Sequence, residues 1–201
     1  MRKKIVRFTG ENMRKASEIV LGGGTIVYPT DTVYGLGCNP FDEEAVKRVF
    51  EVKGRGDKPL PILTSSKERL GEICMLGDKG SRLADKFWPG KLTIVLPTKL
   101  KIPCALGGGS MAVRVPGRED TLELIEACGG FLVGTSANLS GGSHPKVVLD
   151  AYSQLGESID LYLDGGATLG TPSTVIDLTK EKPVVLREGA LRAGEVLSTL
   201  D

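Results

Sequence analysis

The chain has 201 residues, of which 40% are hydrophobic and 25% are charged, and its formal net charge is +1. Because a dedicated nucleic-acid binder carries a strong positive charge, any phosphate binding here must depend on local clusters of cations. No apolar run reaches the roughly 18 residues that a membrane span needs, and the basic N-terminal segment lacks the apolar core of a signal peptide. We therefore expect one cytoplasmic domain over residues 1–201, with no membrane partner.

Strand and helix patterns alternate along the whole chain. Strands are predicted at residues 4–8, 25–28, 60–64, 92–96, 111–115, 131–134, 161–163, 173–178 and 184–187. Helices are predicted at residues 11–21, 42–52, 66–75, 81–87, 121–127, 147–155 and 193–200, with Asp42 and Ser66 as N-caps. This interleaving predicts an α/β domain, and the closing pair of strands predicts a hairpin, so we expect a mixed sheet.

Residues 27–37, VYPTDTVYGLG, contain the strongest local signal for a binding site. Pro29 ends a short apolar strand and is followed by a Thr-Asp-Thr turn at 30–32. Small polar groups at the end of a buried strand of an α/β sheet are where ligands usually bind. Gly35 and Gly37 would let the backbone approach another group closely. The stretch therefore predicts a small-molecule site.

A cluster of cations follows at positions 53–59, KGRGDKP. Arg55 offers a rigid fork of donors to phosphate or carboxylate, whereas Lys53 and Lys58 offer compact point charges. The alternative is a solvated helix end, where cations offset the C-terminal dipole. The glycines and the nearby polar turn favour an anionic ligand.

Arg114 lies within an otherwise apolar predicted strand. A buried cation needs a partner, because burying an unpaired charge is costly. Two interpretations stay open: a pair with a carboxylate in the core, or bidentate binding of a ligand carboxylate.

Small polar residues also follow the predicted strand 131–134. Ser136 and Asn138 are two positions apart, so an extended backbone would point both side chains the same way. A serine nucleophile paired with His144 is not favoured, because no GxSxG turn is present. Ser173 and Arg187, at the ends of the last two predicted strands, could by themselves be turn and surface residues.

Two common nucleotide-binding motifs are absent: no GxxxxGK[ST] loop occurs, and no GxGxxG opens a helix. A nucleotide would therefore depend on side-chain cations and on irregular backbone amides. The four cysteines are far apart and the chain has a single histidine, so we expect incidental thiols and no metal held by the protein.

Seven segments in this order resemble the Sua5/YrdC/YciO family: VYPTDTVYGLG, KGRGDKP, WPGKLT, AVRVP, TSANLSG, STVID and LREGA. The resemblance implies a strongly twisted mixed α/β sheet with flanking helices around a basic cavity. It implies a nucleotidyltransferase that makes threonylcarbamoyl-AMP and pyrophosphate from L-threonine, bicarbonate and ATP, with Mg²⁺ carried by ATP and pyrophosphate. Threonylcarbamoyl transferase proteins would then modify adenosine 37 in ANN-decoding tRNAs. The length of the chain is typical of the short family type.

The resemblance also implies roles for individual residues. L-Threonine would be bound by Thr32, Arg114, Ser136 and Ser173, with Arg114 on the carboxylate. ATP would be bound by Lys53, Arg55, Lys58, Asn138 and Arg187. Lys53 and Arg55 would also be catalytic, by stabilising negative charge on the phosphoryl oxygens. The chain departs from the family pattern at Leu63, where many relatives carry histidine, at Lys91, where proline is usual, and in the spacing before Lys58.

Two alternatives to the synthase stay open. One is a non-enzymatic module of the YciO branch that binds double-stranded RNA or tRNA in the basic cavity. The low net charge and the lack of an aromatic-rich face count against it, although RNA remains a candidate further partner of an enzyme. The other is carbamoyl transfer from carbamoyl phosphate, as in the related domain of hydrogenase-maturation proteins, which is normally part of a larger chain.

Overall fold

The computed structural model describes residues 4–54, 56, 58–105 and 108–200. Its strands are β1 Ile5–Arg7, β2 Ile26–Tyr28, β3 Gly35–Gly37, β4 Ile62–Thr64, β5 Leu92–Pro97, β6 Ser110–Arg114, β7 Phe131–Val133, β8 Thr135–Ser136, β9 Leu161–Asp164, β10 Thr174–Asp177 and β11 Val184–Arg187. Its α-helices are α1 Gly10–Leu21, α2 Glu43–Lys53, α3 Lys67–Leu70, α4 Gly77–Phe87, α5 Glu119–Ala127, α6 Val148–Leu155 and α7 Ala193–Leu197. None of these described helices has the length and apolar character needed to span a membrane.

The strands form two sheets rather than one. The five-stranded sheet has the order β1-β9-β2-β3-β8, and the six-stranded sheet has the order β11-β10-β5-β6-β4-β7. Both contain parallel and antiparallel pairs, and β10 and β11 form the predicted hairpin. The expected mixed α/β fold is therefore confirmed, with the sheet divided in two. One large apolar core joins them, since it includes Val27 and Leu36 from the first sheet and Ile94 and Val113 from the second.

Several helix boundaries differ from the sequence prediction for identifiable reasons. The predicted N-caps are confirmed, because Asp42 Oδ1 accepts from the backbone N–H of Ala45 and Ser66 starts α3. α3 ends at Leu70, where Gly71 closes the turn through its N–H to the carbonyl of Glu68. α4 begins at Gly77, four residues before the prediction. Packing against the rest of the fold overrides the weak helix propensity of its two early glycines.

Strand β3 was predicted as part of a loop, and this prediction is wrong. Glycine is a poor strand former because it has no side chain to pack. Here the ring of Tyr28 on β2 takes up that space: a Cβ at Gly35 would lie 3.1 Å from Tyr28 Cζ, and one at Gly37 would lie 2.7 Å from Tyr28 Cε1. The close approach that the two glycines allow is therefore to this ring. Tyr28 also donates from its hydroxyl to the carbonyl of Val133, at 2.8 Å.

Candidate functional site

A cavity of about 390 Å³ lies between the two sheets. Its lining comes from β3 and β8 on one side, from β4, β5, β6, β10 and β11 on the other, and from the loops beside them. The polar lining residues are Thr30, Thr32, Thr93, Ser110, Arg114, Thr135, Ser136, Ser173 and Arg187. The two arginines carry the charge of this described lining, which agrees with the expected basic cavity. The remaining lining is mostly apolar, and includes Leu63, Val95 and Met111.

Each of the three guanidinium nitrogens of Arg114, at the end of β6, donates to a different partner. Its Nε donates to the carbonyl of Gly90 at 2.7 Å, its Nη1 donates to Thr32 Oγ1 at 2.9 Å, and its Nη2 forms a salt bridge with Asp31. The pair is buried, with side chains 5% and 10% exposed. Burial lowers the pKa of Arg114, and the carboxylate of Asp31 opposes that effect. Arg114 therefore does pair with a carboxylate, and it also lines the cavity, so the first of the two interpretations does not exclude the second.

The turn at 30–32 supplies Arg114 with both of these side-chain partners. Thr30 Oγ1 accepts from the backbone N–H groups of Thr32 and Val33, at 3.1 and 3.2 Å, which closes the turn. The hydroxyls of Thr30 and Thr32 lie 2.9 Å apart and both residues line the cavity. Asp31, which pairs with Arg114, is not among the described lining residues.

A second polar group lies where β10 and β11 meet the cavity. Ser173 Oγ lies 2.7 Å from Thr93 Oγ1, and Arg187 donates from Nη2 to the carbonyl of Ser173 at 2.8 Å. All three residues line the cavity. Ser173 and Arg187 are thus not merely turn and surface residues. Thr93 was not singled out from the sequence, although it is a hydroxyl in the apolar strand β5 and faces the same side as Val95.

Ser136 lines the cavity, whereas Asn138 is not among the described lining residues. The expectation that both side chains point the same way is wrong, because the backbone turns: the N–H of Asn138 donates to the carbonyl of Ser136 at 2.9 Å. The Nδ2 of Asn138 donates within its own loop, to the carbonyls of Leu139 and Gly142. Its Oδ1 is buried and has no hydrogen-bond partner within the described part of the chain.

Lys53, at the end of α2, is 2% exposed and does not belong to the described lining. Its ammonium donates to the carbonyls of Ser136 and Asn138, the latter at 2.8 Å. The backbone N–H of Ser140 in turn donates to the carbonyl of Lys53 at 3.0 Å. Lys53 therefore joins the end of α2 to the segment that carries Ser136.

The remaining predicted site residues lie toward the outside or beyond the described chain. Lys58 is exposed, next to Pro59 of the cavity lining. Arg55 lies outside the described residues. Burial lowers the pKa of His144, and the charges of Arg187 and Lys53 lower it further. No hydrogen bond joins His144 to Ser136 among the residues described, so the disfavoured serine–histidine pair gains no support.

The described residues contain no group of three or more His, Cys, Asp or Glu side chains that could hold a metal ion. The cavity lining likewise has no described carboxylate. Since Mg²⁺ is bound mainly by carboxylate and phosphate oxygens, the described residues do not fit a magnesium site made by the protein alone.

Comparison with known proteins identifies relatives along most of the chain. The Sua5/YciO/YrdC family model, which carries the description "Telomere recombination", matches residues 18–189. A threonylcarbamoyl-AMP synthase from Pyrococcus abyssi is 42% identical over 189 residues, which cover 92% of this chain and 56% of that protein.

Two solved structures resemble the fold. The crystal structure of P. abyssi Sua5 complexed with L-threonine superposes with a TM-score of 0.92 at 39% identity, covering 98% of this chain and 59% of that one. The crystal structure of Escherichia coli YciO superposes with a TM-score of 0.84 at 31% identity, covering 92% of each chain. This chain thus spans little more than half the length of the P. abyssi proteins.

Proposed function

Because the chain belongs to the Sua5/YciO/YrdC family, we propose that it is an L-threonylcarbamoyladenylate synthase. It would convert L-threonine, bicarbonate and ATP into threonylcarbamoyl-AMP and pyrophosphate. The observation that carries this proposal is the convergence of Thr32, Arg114, Ser136 and Ser173 on one cavity, in a fold shared with a P. abyssi protein whose structure contains L-threonine. These four residues are the proposed threonine site.

The proposed chemistry needs no nucleophile from the protein. The amine of threonine adds to the carbon of bicarbonate, with loss of water, or to that of CO₂, with loss of a proton to solvent, and either reaction gives a carbamate. A carbamate oxygen then attacks the α-phosphorus of ATP, the bond to the bridging oxygen breaks, and pyrophosphate leaves. Negative charge grows on the phosphoryl oxygens, so the protein contributes mainly position and fixed positive charge.

The individual roles are those that the family resemblance implies, and the positions of Arg114 and Arg187 in the cavity lining support two of them. Arg114 would bind the threonine carboxylate through the N–H groups of Nη1 and Nη2 that the protein does not occupy. Arg187, across the same cavity, would bind phosphate. Lys53 and Arg55 would stabilise charge on the phosphoryl oxygens, and Lys58 and Asn138 complete the proposed ATP site. Lys53 would act from beside the cavity, at the end of α2, where its ammonium bonds to the carbonyl of Ser136.

Magnesium would enter this site with its nucleotide. Because the described residues provide no carboxylate cluster, the triphosphate and water are the expected ligands of Mg²⁺. The product would be used by transferase proteins that modify adenosine 37 of tRNAs, which makes those proteins and tRNA the proposed later partners.

The test is an assay for pyrophosphate release from ATP. Release that depends on both L-threonine and bicarbonate, together with a product of the mass of threonylcarbamoyl-AMP, is the expected result. ATP turnover that is indifferent to threonine would contradict the proposal. RNA binding with a steep salt dependence and no nucleotide effect would instead favour the RNA-binding alternative, which no observation in this structure supports at present.

A further inference from the structure

Arg114 and Asp31 form a buried ion pair beside the cavity, which we call the Arg114 anchor. Asp31 pairs directly with Nη2, so the positive charge of Arg114 is offset where it is buried. Thr32 Oγ1 and the carbonyl of Gly90 take one further N–H each. The anchor therefore presents hydrogen-bond donors to the cavity with little net positive charge behind them.

Asp31 lies beside the cavity, and only one of its two carboxylate oxygens is hydrogen-bonded among the described residues. Thr30 and Thr32 line the cavity, but Asp31 between them does not. One of its oxygens accepts from Arg114, whereas Oδ2 is buried and has no hydrogen-bond partner among the residues that the structure describes. This oxygen faces the backbone, since a Cβ at Gly117 would lie 3.2 Å from it. Leaving a buried acceptor unpaired costs free energy.

We propose that Asp31 is a specificity-determining residue that makes the Arg114 anchor select a zwitterionic amino acid over a simple carboxylate anion. The inference rests on the proposed assignment of an amino-acid carboxylate to Arg114. A lone arginine attracts carboxylates, bicarbonate and phosphates alike. With Asp31 bonded to it, the pair is close to neutral, so a simple anion gains little net attraction, whereas the ammonium group of an amino acid adds an attraction to Asp31 of its own.

This arrangement also suits a cavity that has to hold two kinds of anion. The paired Arg114 has little net positive charge to offer a phosphate group, so the phosphates are left to Arg187. Discrimination by a repulsive element in the site is a common route to specificity. Asp31 acts on the ligand through Arg114 and through its own charge, without touching the cavity.

The experiment compares L-threonine with 2,3-dihydroxybutanoate of the same configuration, in which a hydroxyl replaces the ammonium group. Affinities for both are measured by isothermal titration calorimetry on the wild type, on Asp31→Asn and on Asp85→Asn. Asparagine can still accept from Arg114, so the variant removes charge and retains shape. Asp85 is a matched control, because it is exposed on α4 and pairs there with Lys67.

We expect the wild type and Asp85→Asn to prefer threonine by about ten-fold or more, and Asp31→Asn to bind the two acids with a ratio near one. A general loosening of the cavity would weaken both ligands together and leave the ratio unchanged. If Asp31→Asn does not fold, Asp31→Ser removes the same charge and the same ratio is measured.

An Asp31 variant that retains the wild-type ratio would overturn the proposal, and so would a wild type that binds both acids within about two-fold. Pyrophosphate release separates this outcome from failure of the proposed function. Selective binding of threonine without turnover would refute the synthase and leave the role of Asp31 intact. Turnover with equal binding of both acids would refute the role of Asp31 alone, and binding of neither acid would refute both.

Discussion

Thr32 connects the polar turn at 30–32 to the buried Arg114 by hydrogen bonds. Its Oγ1 accepts from Arg114 Nη1 at 2.9 Å and lies beside the hydroxyl of Thr30. Replacing it with valine preserves the volume and leaves a guanidinium N–H without its acceptor. A buried donor left unpaired is costly, and a misoriented arginine loses its fork geometry.

For Thr32→Val we therefore expect the KM for threonine to rise about ten-fold or more, with a much smaller change in the KM for ATP. Steady-state pyrophosphate release measures both constants. Thr199→Val, at a half-buried threonine just after α7 that is not among the described lining residues of the cavity, is the control and should behave as the wild type. Equal losses for both substrates would place Thr32 in the general support of the cavity instead.

We expect His144 to make the stability of the protein depend on pH. Its pKa is lowered by burial, by Arg187 and by Lys53. Between this lowered pKa and the usual value near 6.5, the unfolded chain binds more protons than the native chain, so stability increases with pH through that window. Acidification from about pH 7 to about pH 5 should then lower the free energy of unfolding by an amount that is absent in His144→Gln.

Urea unfolding at a series of pH values provides this measurement. His144 is the only histidine in the sequence, so proton NMR can follow its titration without ambiguity. A pKa at or above the unperturbed value in the native protein would show that the two cations do not act on the imidazole.

At the scale of elements, β2 pairs with β3 while the ring of Tyr28 packs against the Cα atoms of Gly35 and Gly37. A Cβ at Gly37 would lie 2.7 Å from Tyr28 Cε1 and 2.7 Å from the carbonyl of Val133, and neither the buried ring nor the backbone can move easily. Gly10 at the start of α1 is the matched control, because a Cβ there meets nothing within 4 Å.

Gly37→Ala should accordingly lower the free energy of unfolding by about 1–3 kcal/mol, through overpacking. Gly10→Ala should be neutral or should stabilise by up to about 1 kcal/mol, because alanine restricts the unfolded chain. Denaturant titrations of the two variants give both values. A Gly37→Ala protein as stable as Gly10→Ala would show that β3 can shift away from the ring.

The contact between α2 and the segment after β8 is the second element-scale feature. It depends on the buried ammonium of Lys53, which bonds to two backbone carbonyls. In Lys53→Met the aliphatic volume remains but the carbonyls of Ser136 and Asn138 lose their donor. We expect unfolding to cost about 1–3 kcal/mol less and turnover to fall on the order of 10²–10³-fold.

Lys47→Met is the control for this change, since Lys47 lies on the same helix and is exposed. Its stability and turnover should match those of the wild type. If Lys53→Met loses stability but keeps normal turnover per folded molecule, Lys53 only stabilises the contact between α2 and the segment after β8. It would then no longer be a proposed catalytic residue.

At the scale of the whole molecule, the core encloses every thiol. Cys38, Cys74, Cys104 and Cys128 are all free and buried. Burial raises the pKa of each of them, to about 12 for Cys74, Cys104 and Cys128. Because the thiolate is the reactive form, all four should be inert in the folded protein near pH 8.

We expect Ellman's reagent to modify these thiols at least a hundred-fold more slowly in the native protein than in urea, as roughly expected when reaction requires opening of the core. Added ATP and threonine should slow the reaction further if both bind the folded state. One thiol that reacts at the unfolded rate would identify a region of the core that opens by itself.

A structural feature could be predicted from the sequence when the residues that determine it lie close together along the chain. Helix caps such as Asp42 and Ser66 depend on neighbours three residues away, and both were predicted. The hairpin of β10 and β11 was also predicted, because these two strands follow each other closely along the chain. The strand at Gly35–Gly37 was not, because its stability comes from a ring on another strand.

The candidate site shows the same division. The polar turn at 30–32, the isolated Arg114 and the serines at strand ends could be identified from the sequence, because each is an unusual residue in its local context. That Asp31 pairs with Arg114, and that Lys53 bonds to the carbonyl of Ser136, could not, since 83 residues separate the partners in each pair.

By itself, the sequence determined most of the elements, the family and most of the polar residues available to a ligand. Only the tertiary structure decided that the strands divide into two sheets with a cavity between them, and that Arg114 in this cavity is already paired with a carboxylate. The physical reason is that local propensity and capping act over a few residues, whereas the net charge of a buried site depends on which distant side chains the topology brings into contact.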